Sequence, residues 1–288
     1  MQMALKDVQS LPPLRKFKLT RVGVRNMKKL IYIHRKGRVI PLIATISAYV
    51  DLPSTQKGVH MSRNIEVVNE IINLMPTEKF SGLEDVMEYI ARKLLERHEY
   101  AKTACARAWS YYFREETTPR GRVTVEYYKI LAKAVVHREN GMKKMIGVQV
   151  VGSSACPCAM ETTKEILNLD KKRVGITHNQ RNIVTVLMEV PEGYDVDADD
   201  LIDIVNSSFS APTYEYLKRD DEGALVVRMH ENPMFVEDIV REILGRILER
   251  YSNLPDETMV IVRSESLESI HKHNAYAERI ATLGELRS

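Results

Sequence analysis

Leu42-Ile43-Ala44-Thr45-Ile46-Ser47-Ala48-Tyr49-Val50 brings apolar side chains back at near-regular alternate positions, the mark of a half-buried strand. Working outward, strands are expected over Leu14–Val24 and Lys29–Leu52. Two helical patterns follow. Asn64–Met75 places Ile65, Val68, Ile71, Ile72 and Met75 on one face. Leu83–His98 does the same with Val86, Ile90, Leu94 and Leu95, with Ser81 as its expected N-cap. Thr103–Phe113 and Val123–His137 then read as long strands around the turn Thr118-Pro119-Arg120-Gly121. The second half repeats the order loosely. Strands are expected at Lys144–Gly152, Asn182–Val190 and Thr258–Ser264. Helices are expected at Ala198–Phe209, capped by Asp197, at Val236–Tyr251 and near Asn274–Leu283. Strand–strand–helix–helix–strand–strand, met twice, predicts a duplicated α+β unit. The polar break His137-Arg138-Glu139-Asn140-Gly141 divides it into modules 1–140 and 141–288.

The 288 residues fit one large domain or two modest ones, and 44% apolar with 28% charged residues excludes wholesale disorder. Lys+Arg of 42 against Asp+Glu of 39 leaves a net +3, which argues against a general nucleic-acid binder but allows a local anion pocket. Three cysteines make no disulfide framework, so a reducing, cytoplasmic setting is expected. Met1–Leu19 has no apolar targeting core, and Val39–Val50 falls short of the ~20 residues of a membrane helix. A soluble protein with no membrane partner is expected.

Reactive side chains concentrate in four places. Ser153-Ser154-Ala155-Cys156-Pro157-Cys158 follows an apolar strand; it is either a pair of small half-buried residues or a thiolate ligand or nucleophile at a strand end. Pro157 stiffens the turn between them, and the two sulfurs are expected to point different ways. Thr177-His178-Asn179-Gln180-Arg181 is either a polar loop or a metal ligand, amide donors and an anion fork in one stretch. Glu268-Ser269-Ile270-His271, if helical, sets a carboxylate and an imidazole three apart on one face. Lys57-Gly58-Val59-His60-Met61-Ser62-Arg63 stands directly before a helix, as an ordinary capped loop or as a phosphate cradle. Cys, His and carboxylate ligands suit Zn²⁺ or Fe²⁺ better than Mg²⁺ or Ca²⁺. A phosphate cradle beside such a metal points to a nucleotide substrate and hydrolysis.

Asp51-Leu52-Pro53, Lys57–Arg63, Cys156-Pro157-Cys158, His178-Asn179-Gln180-Arg181, Leu217-Lys218-Arg219, Asn232-Pro233, Phe235-Val236-Glu237-Asp238 and Glu268-Ser269-Ile270-His271 together resemble the GTP cyclohydrolase IB family. The likeness runs from Asp7-Val8-Gln9 to Gly284-Glu285-Leu286 and is nearest the archaeal, methanopterin-pathway branch. That resemblance implies an α+β tunnelling fold of two tandem modules, each an antiparallel sheet with helices on one face. It implies homo-oligomers, dimers or tetramers, with active sites between subunits, GTP as substrate and a divalent metal, Fe²⁺ in the archaeal branch, with Zn²⁺ or Mn²⁺ also accepted. The bacterial branch is described as giving dihydroneopterin triphosphate, the archaeal branch dihydroneopterin 2′,3′-cyclic phosphate. The chain shares with the archaeal branch a longer stretch between Cys156 and His178, holding Glu161–Arg173. It has Asp220 where bacterial members usually have proline.

Carried over residue by residue, the family's metal site falls on Cys156, His178, Glu222, Glu268 and His271, with Cys156, His178 and His271 in catalytic roles. Its guanine-anchoring glutamate falls on Glu237. Lys57, His60, Arg63, Arg181, Lys218 and Arg219 are the cations for the phosphates. Two other classes remain open: a pterin- or purine-binding enzyme of the same fold with different chemistry, and an interaction protein whose Cys and His are structural. Cys-x-Cys with dispersed histidines fits a structural zinc site poorly.

Overall fold

The computed structural model describes residues 7–74, 79–170 and 173–288. Met75 of the expected first helix face lies outside them, as do Lys171 and Lys172 of the Glu161–Arg173 stretch.

The element order is β1 (Leu19–Arg35), β2 (Arg38–Leu52), α1 (Met61–Leu74), α2 (Leu83–Arg97), β3 (Thr103–Thr117), β4 (Val123–His137), β5 (Gly141–Ala155), α3 (Pro157–Ile166), β6 (Asn179–Glu189), α4 (Ala198–Ser207), β7 (Ala211–Pro212), α5 (Arg219–Glu231), α6 (Val236–Arg250), β8 (Met259–Ser266), β9 (Ala275–Thr282) and α7 (Leu283–Arg287). The chain forms two compact units, one of residues 1–111 and 131–146, the other of 112–130 and 147–288.

In the first unit β1 and β2 form a long antiparallel hairpin, and β2 pairs antiparallel with β3. The expected break between two strands near residues 25–28 is instead a bulge inside β1: the register shifts between Val24 and Met27, and Asn26 takes a φ of 60°. Asn tolerates that left-handed conformation better than most residues. The true turn is Lys36-Gly37, with φ of 49° and 76°, the positive pair a tight hairpin turn requires. On β2, Ala44, Ile46, Ala48 and Val50 are buried, as are Val67, Val68 and Ile71 of α1 and Val86, Ile90 and Leu94 of α2. Each such large aliphatic side chain contributes roughly 1.5–3 kcal/mol on full burial. Asn64 pins α1 to this layer, its side-chain amide donating to the Ala48 carbonyl at 3.1 Å. The cap of α2 is Gly82, not Ser81: Asp85 accepts from the Gly82 N–H at 3.0 Å and from the Ser81 hydroxyl at 2.5 Å. One acid three residues into the helix thus serves both preceding donors.

In the second unit β6 pairs antiparallel with β8, β8 with β9, and β7 with β5. Val184, Val186 and Met188 of β6 and Val260 and Val262 of β8 are buried, as are Leu201 and Val205 of α4 and Ile239, Ile243 and Ile247 of α6. Asp197 caps α4 as expected, accepting the Asp199 N–H at 2.9 Å. The helix expected near Asn274–Leu283 is strand β9. Its Ala, Glu and Arg favour helix, but pairing with β8 from Ala275 opposite Ser266 to Thr282 opposite Met259 overrides local preference. Likewise 267–274, holding Glu268 and His271, is the loop between β8 and β9 and not a helix. Two further helices, α3 and α5, interrupt the repeated pattern. Pro157 at the first turn of α3, and Asp220, Asp221 and Glu222 in the first turn of α5, are their local signals. The architecture is α+β, with antiparallel sheet and helices packed on one face.

Candidate active site

A cavity of about 190 Å³ in the second unit is lined by residues that include Ser154, Cys156, Gln180, Glu237, Ser266 and Glu268. Hydrogen bonds draw together four of the sequence segments that line it. The Cys156 N–H donates to the His178 carbonyl at 3.1 Å, and the Thr177 hydroxyl to the Cys156 carbonyl at 2.7 Å, which locks the end of β5 beside the entry to β6. The Met234 N–H donates to the Ala155 carbonyl at 3.0 Å, setting the N-terminus of α6, with Glu237 in its first turn, against the same strand end. The Leu267 N–H donates to the Arg181 carbonyl at 2.9 Å, placing Glu268 next to Gln180.

Cys156 is half-buried and caps α3, its sulfur accepting the Ala159 N–H at 3.5 Å. Cys158 lies in that helix and is exposed. The two sulfurs diverge because one caps a helix and the other sits in its first turn; in a strand, residues two apart would share a face. His178 and Glu268 are largely enclosed, with side chains 12% and 11% exposed and Nδ1 3.8 Å from the carboxylate. The His178 ring stands edge-on to that of His271, with centroids 6.4 Å apart, and His271 stacks on His273 at 5.0 Å. His271 itself is exposed.

Other expected site residues are placed elsewhere. Glu222 is exposed in the first turn of α5, after Lys218 at its cap and Arg219 at its first position, and Arg181 is exposed on β6; none of the four lines the cavity. Lys57, His60 and Arg63 belong to the first unit, in the loop and first turn of α1. There His60 Nε2 lies 3.1 Å from the Asp7 carboxylate, and the Arg63 guanidinium donates to the Arg97 carbonyl at 2.9 Å. Among the described residues, no three His, Cys, Asp or Glu side chains converge closely enough to hold a metal ion within one chain. Neither His178 nor His271 lines the cavity; Cys156 and Glu268 do, and His178 adjoins Glu268, so a thiol, a carboxylate and a neighbouring imidazole are donor types that fit a borderline divalent ion.

Ser154, Ser266 and Gln180 also line the cavity, of which the motif reading took Gln180 only as an amide donor. Ser154 and Ser266 are buried hydroxyls, and Ser266 Oγ has no hydrogen-bond partner among the described residues, leaving it for a ligand or water. Gln180 bridges His178 and Glu268 through its amide. Its position was readable: two residues beyond His178 in extended chain, it projects to the same side.

A family model described as type I GTP cyclohydrolase folE2 matches residues 5–277. The chain belongs to the type I GTP cyclohydrolase folE2 family. It is under that description, rather than the IB label of the motif resemblance, that the family is matched. Similar proteins include the GTP cyclohydrolase MptA of Methanococcus aeolicus, 44% identical over 303 residues, which cover 98% of each chain. That of Methanocaldococcus jannaschii is 42% identical over 301 residues, 98% of this chain and 96% of the relative. Among solved structures, a uricase from Bacillus fastidious superimposes with a TM-score of 0.53 at 13% identity, over 93% of this chain and 95% of that one. A uricase from Arthrobacter globiformis gives 0.53 at 10%, over 92% and 93%. The uricases share the fold; the folE2 family supplies the enzyme class, GTP cyclohydrolase. No helix among the described residues is long and apolar enough to cross a membrane.

Proposed function

We propose that the protein is a metal-dependent GTP cyclohydrolase that opens the guanine imidazole ring at C8, releases formate and forms 7,8-dihydroneopterin 2′,3′-cyclic phosphate for pterin biosynthesis of the tetrahydromethanopterin type. The observation that carries this reading is the convergence of Cys156, Glu237 and Glu268 on one cavity in a chain that resembles MptA enzymes along its whole length. Cys156, His178, Glu222, Glu268 and His271 are the proposed metal ligands; because no three such side chains converge within one chain among the described residues, the set would be completed across an interface between subunits of a tunnelling-fold dimer or tetramer. The modules of that fold are 1–140 and 141–288. Fe²⁺ is the proposed ion, with Zn²⁺ or Mn²⁺ as alternatives, in a cytoplasmic protein. When bound, such an ion supplies Lewis acidity, which lowers the pKa of water from 15.7 toward ~7.

The chain's own residues do the rest. The Glu237 carboxylate offers two acceptors to the guanine N1–H and N2–H and so sets the orientation of the base. Whichever of His178, His271 and Glu268 does not hold the metal gives and takes the protons that ring opening at N7–C8, formamide hydrolysis and ring closure each require. Lys57, His60, Arg63, Arg181, Lys218 and Arg219 are the proposed cations for the triphosphate. In the cyclising step a side-chain hydroxyl of the pterin precursor attacks the α-phosphorus, the bond to the bridging oxygen breaks, and pyrophosphate leaves with the charge those cations stabilise. Mass spectrometry of the product from GTP, after anaerobic reconstitution with Fe²⁺, Mn²⁺ or Zn²⁺, tests the reading. The cyclic phosphate with Fe²⁺ supports it. An intact dihydroneopterin triphosphate moves the enzyme to the other product, and full air-stable activity with Zn²⁺ alone contradicts the metal assignment.

A further inference from the structure

Gln180 occupies a position that neither the motif roles nor the family description assigns. Its Oε1 lies 2.8 Å from His178 Nδ1, while its Nε2 lies 3.3 Å from Glu268 Oε1 and 3.4 Å from Ser154 Oγ. The other groups facing His178 Nδ1 are more distant: Ser269 Oγ at 3.5 Å and Glu268 Oε2 at 3.8 Å. An ionised carboxylate only accepts, so the amide must turn its NH₂ toward Glu268. That leaves Oε1, which also only accepts, facing the imidazole. His178 is therefore obliged to carry its proton on Nδ1 and to present an Nε2 lone pair.

We propose that Gln180 is a positioning residue that sets the tautomer of His178 and, through the same amide, the orientation of the Glu268 carboxylate. The proposal deepens the cyclohydrolase reading, on which the roles of His178 and Glu268 rest. One planar group gives the imidazole its acceptor and the carboxylate its donor, so the two side chains are held as a unit and not as two independent rotamers. Outer partners that fix a ligand in this way are typically worth ~10–100-fold in metal affinity or activity.

The test uses full-length protein labelled with ¹⁵N-histidine. The His178 resonance is assigned by its loss in a His178→Ala variant. Gln180→Glu keeps an acceptor opposite Nδ1 and loses the donor toward Glu268; Gln180→Ala loses both. The expected outcome at alkaline pH is a protonated Nδ1 on neutral His178 in wild type and Gln180→Glu, and a mixture of tautomers in Gln180→Ala. Titration with Co²⁺ alone should show weakening of roughly 10- to 100-fold in Gln180→Ala. Near-equal tautomer populations in wild type and Gln180→Ala, the Nε2-protonated form in wild type, or loss of the Nδ1 proton in both variants overturns the proposal. None of these readouts requires turnover, so a protein that released no formate would refute the cyclohydrolase reading and leave the Gln180 result to stand or fall separately.

Discussion

At the scale of single residues, the two cysteines of the Cys-x-Cys pair differ sharply. Cys156 lines the cavity and Cys158 points away from it on α3. Cys156→Ala should lower turnover by more than the ~100-fold that loss of an outer partner can cost, while Cys158→Ala should keep most of it. Equal losses in steady-state assays of the two variants would contradict the assignment. Glu237 reaches the same cavity from an exposed position in the first turn of α6. In a dry pocket, a carboxylate that loses one donor can reject an analogue by ~10⁴-fold. Water can reach Glu237, so the expected preference for GTP over ITP is nearer 10- to 100-fold, from the roughly 1.5–3 kcal/mol of a hydrogen bond to a charged group. Comparison of kcat/KM for the two nucleotides in wild type and Glu237→Ala checks this. Unchanged discrimination in the mutant would reduce Glu237 to a helix-dipole residue.

Among the elements, α2 and its C-terminal turn carry two buried titratable groups with opposite consequences. Burial, reinforced by the neighbouring Asp85 charge, pushes the Glu84 carboxyl up to about 7 from an ordinary 4.5. Its folded-state value lies above its unfolded one, so its contribution to stability is full below pH 4.5 and is lost as pH rises through about 7. The loss is on the order of 3 kcal/mol. Burial, with the nearby Arg63 and His60 charges, lowers His98 to about 4 from 6.5, and its neutral ring is held by Tyr100 at 2.9 Å and Asn64 at 3.0 Å. Here the sign reverses: stability present above pH 6.5 is lost as pH falls through about 4. Between pH 4.5 and about 7, denaturation midpoints should therefore decline less in Glu84→Gln than in wild type. An identical slope over that range in the two proteins would contradict a carboxyl held protonated by its surroundings. These elements also show what the sequence makes legible. β4 and the start of α6 match their expected limits because alternation and helical periodicity are local. The β1 bulge at Asn26 and the conversion of 275–282 to strand depend on partners across a sheet, which no local window contains. α3 was hidden because Cys156-Pro157-Cys158 reads as a strand end until its cap geometry is seen.

For the whole molecule, the motif residues split between the two units: Lys57, His60 and Arg63 in the first, and Cys156, His178, Glu237, Glu268 and His271 in the second. Cys156, Glu237 and Glu268 were recoverable as one cavity only by folding, because hydrogen bonds such as Gln180 to Glu268 join residues 88 positions apart. On the second unit, Phe113, Val123, Val125 and Tyr127 remain exposed, with the Phe113 and Tyr127 rings 6.3 Å apart, an apolar surface of the kind that subunit contacts cover. Light scattering should accordingly return a multiple of the 33.0 kDa chain mass, and a monomer would count against sites completed between subunits. The central claim is tested most directly by formate. The purified protein, reconstituted with Fe²⁺ without oxygen and given GTP, should release one formate for each dihydropterin formed, and Cys156→Ala should release almost none. GTP recovered unchanged, or consumed without formate, would contradict the account.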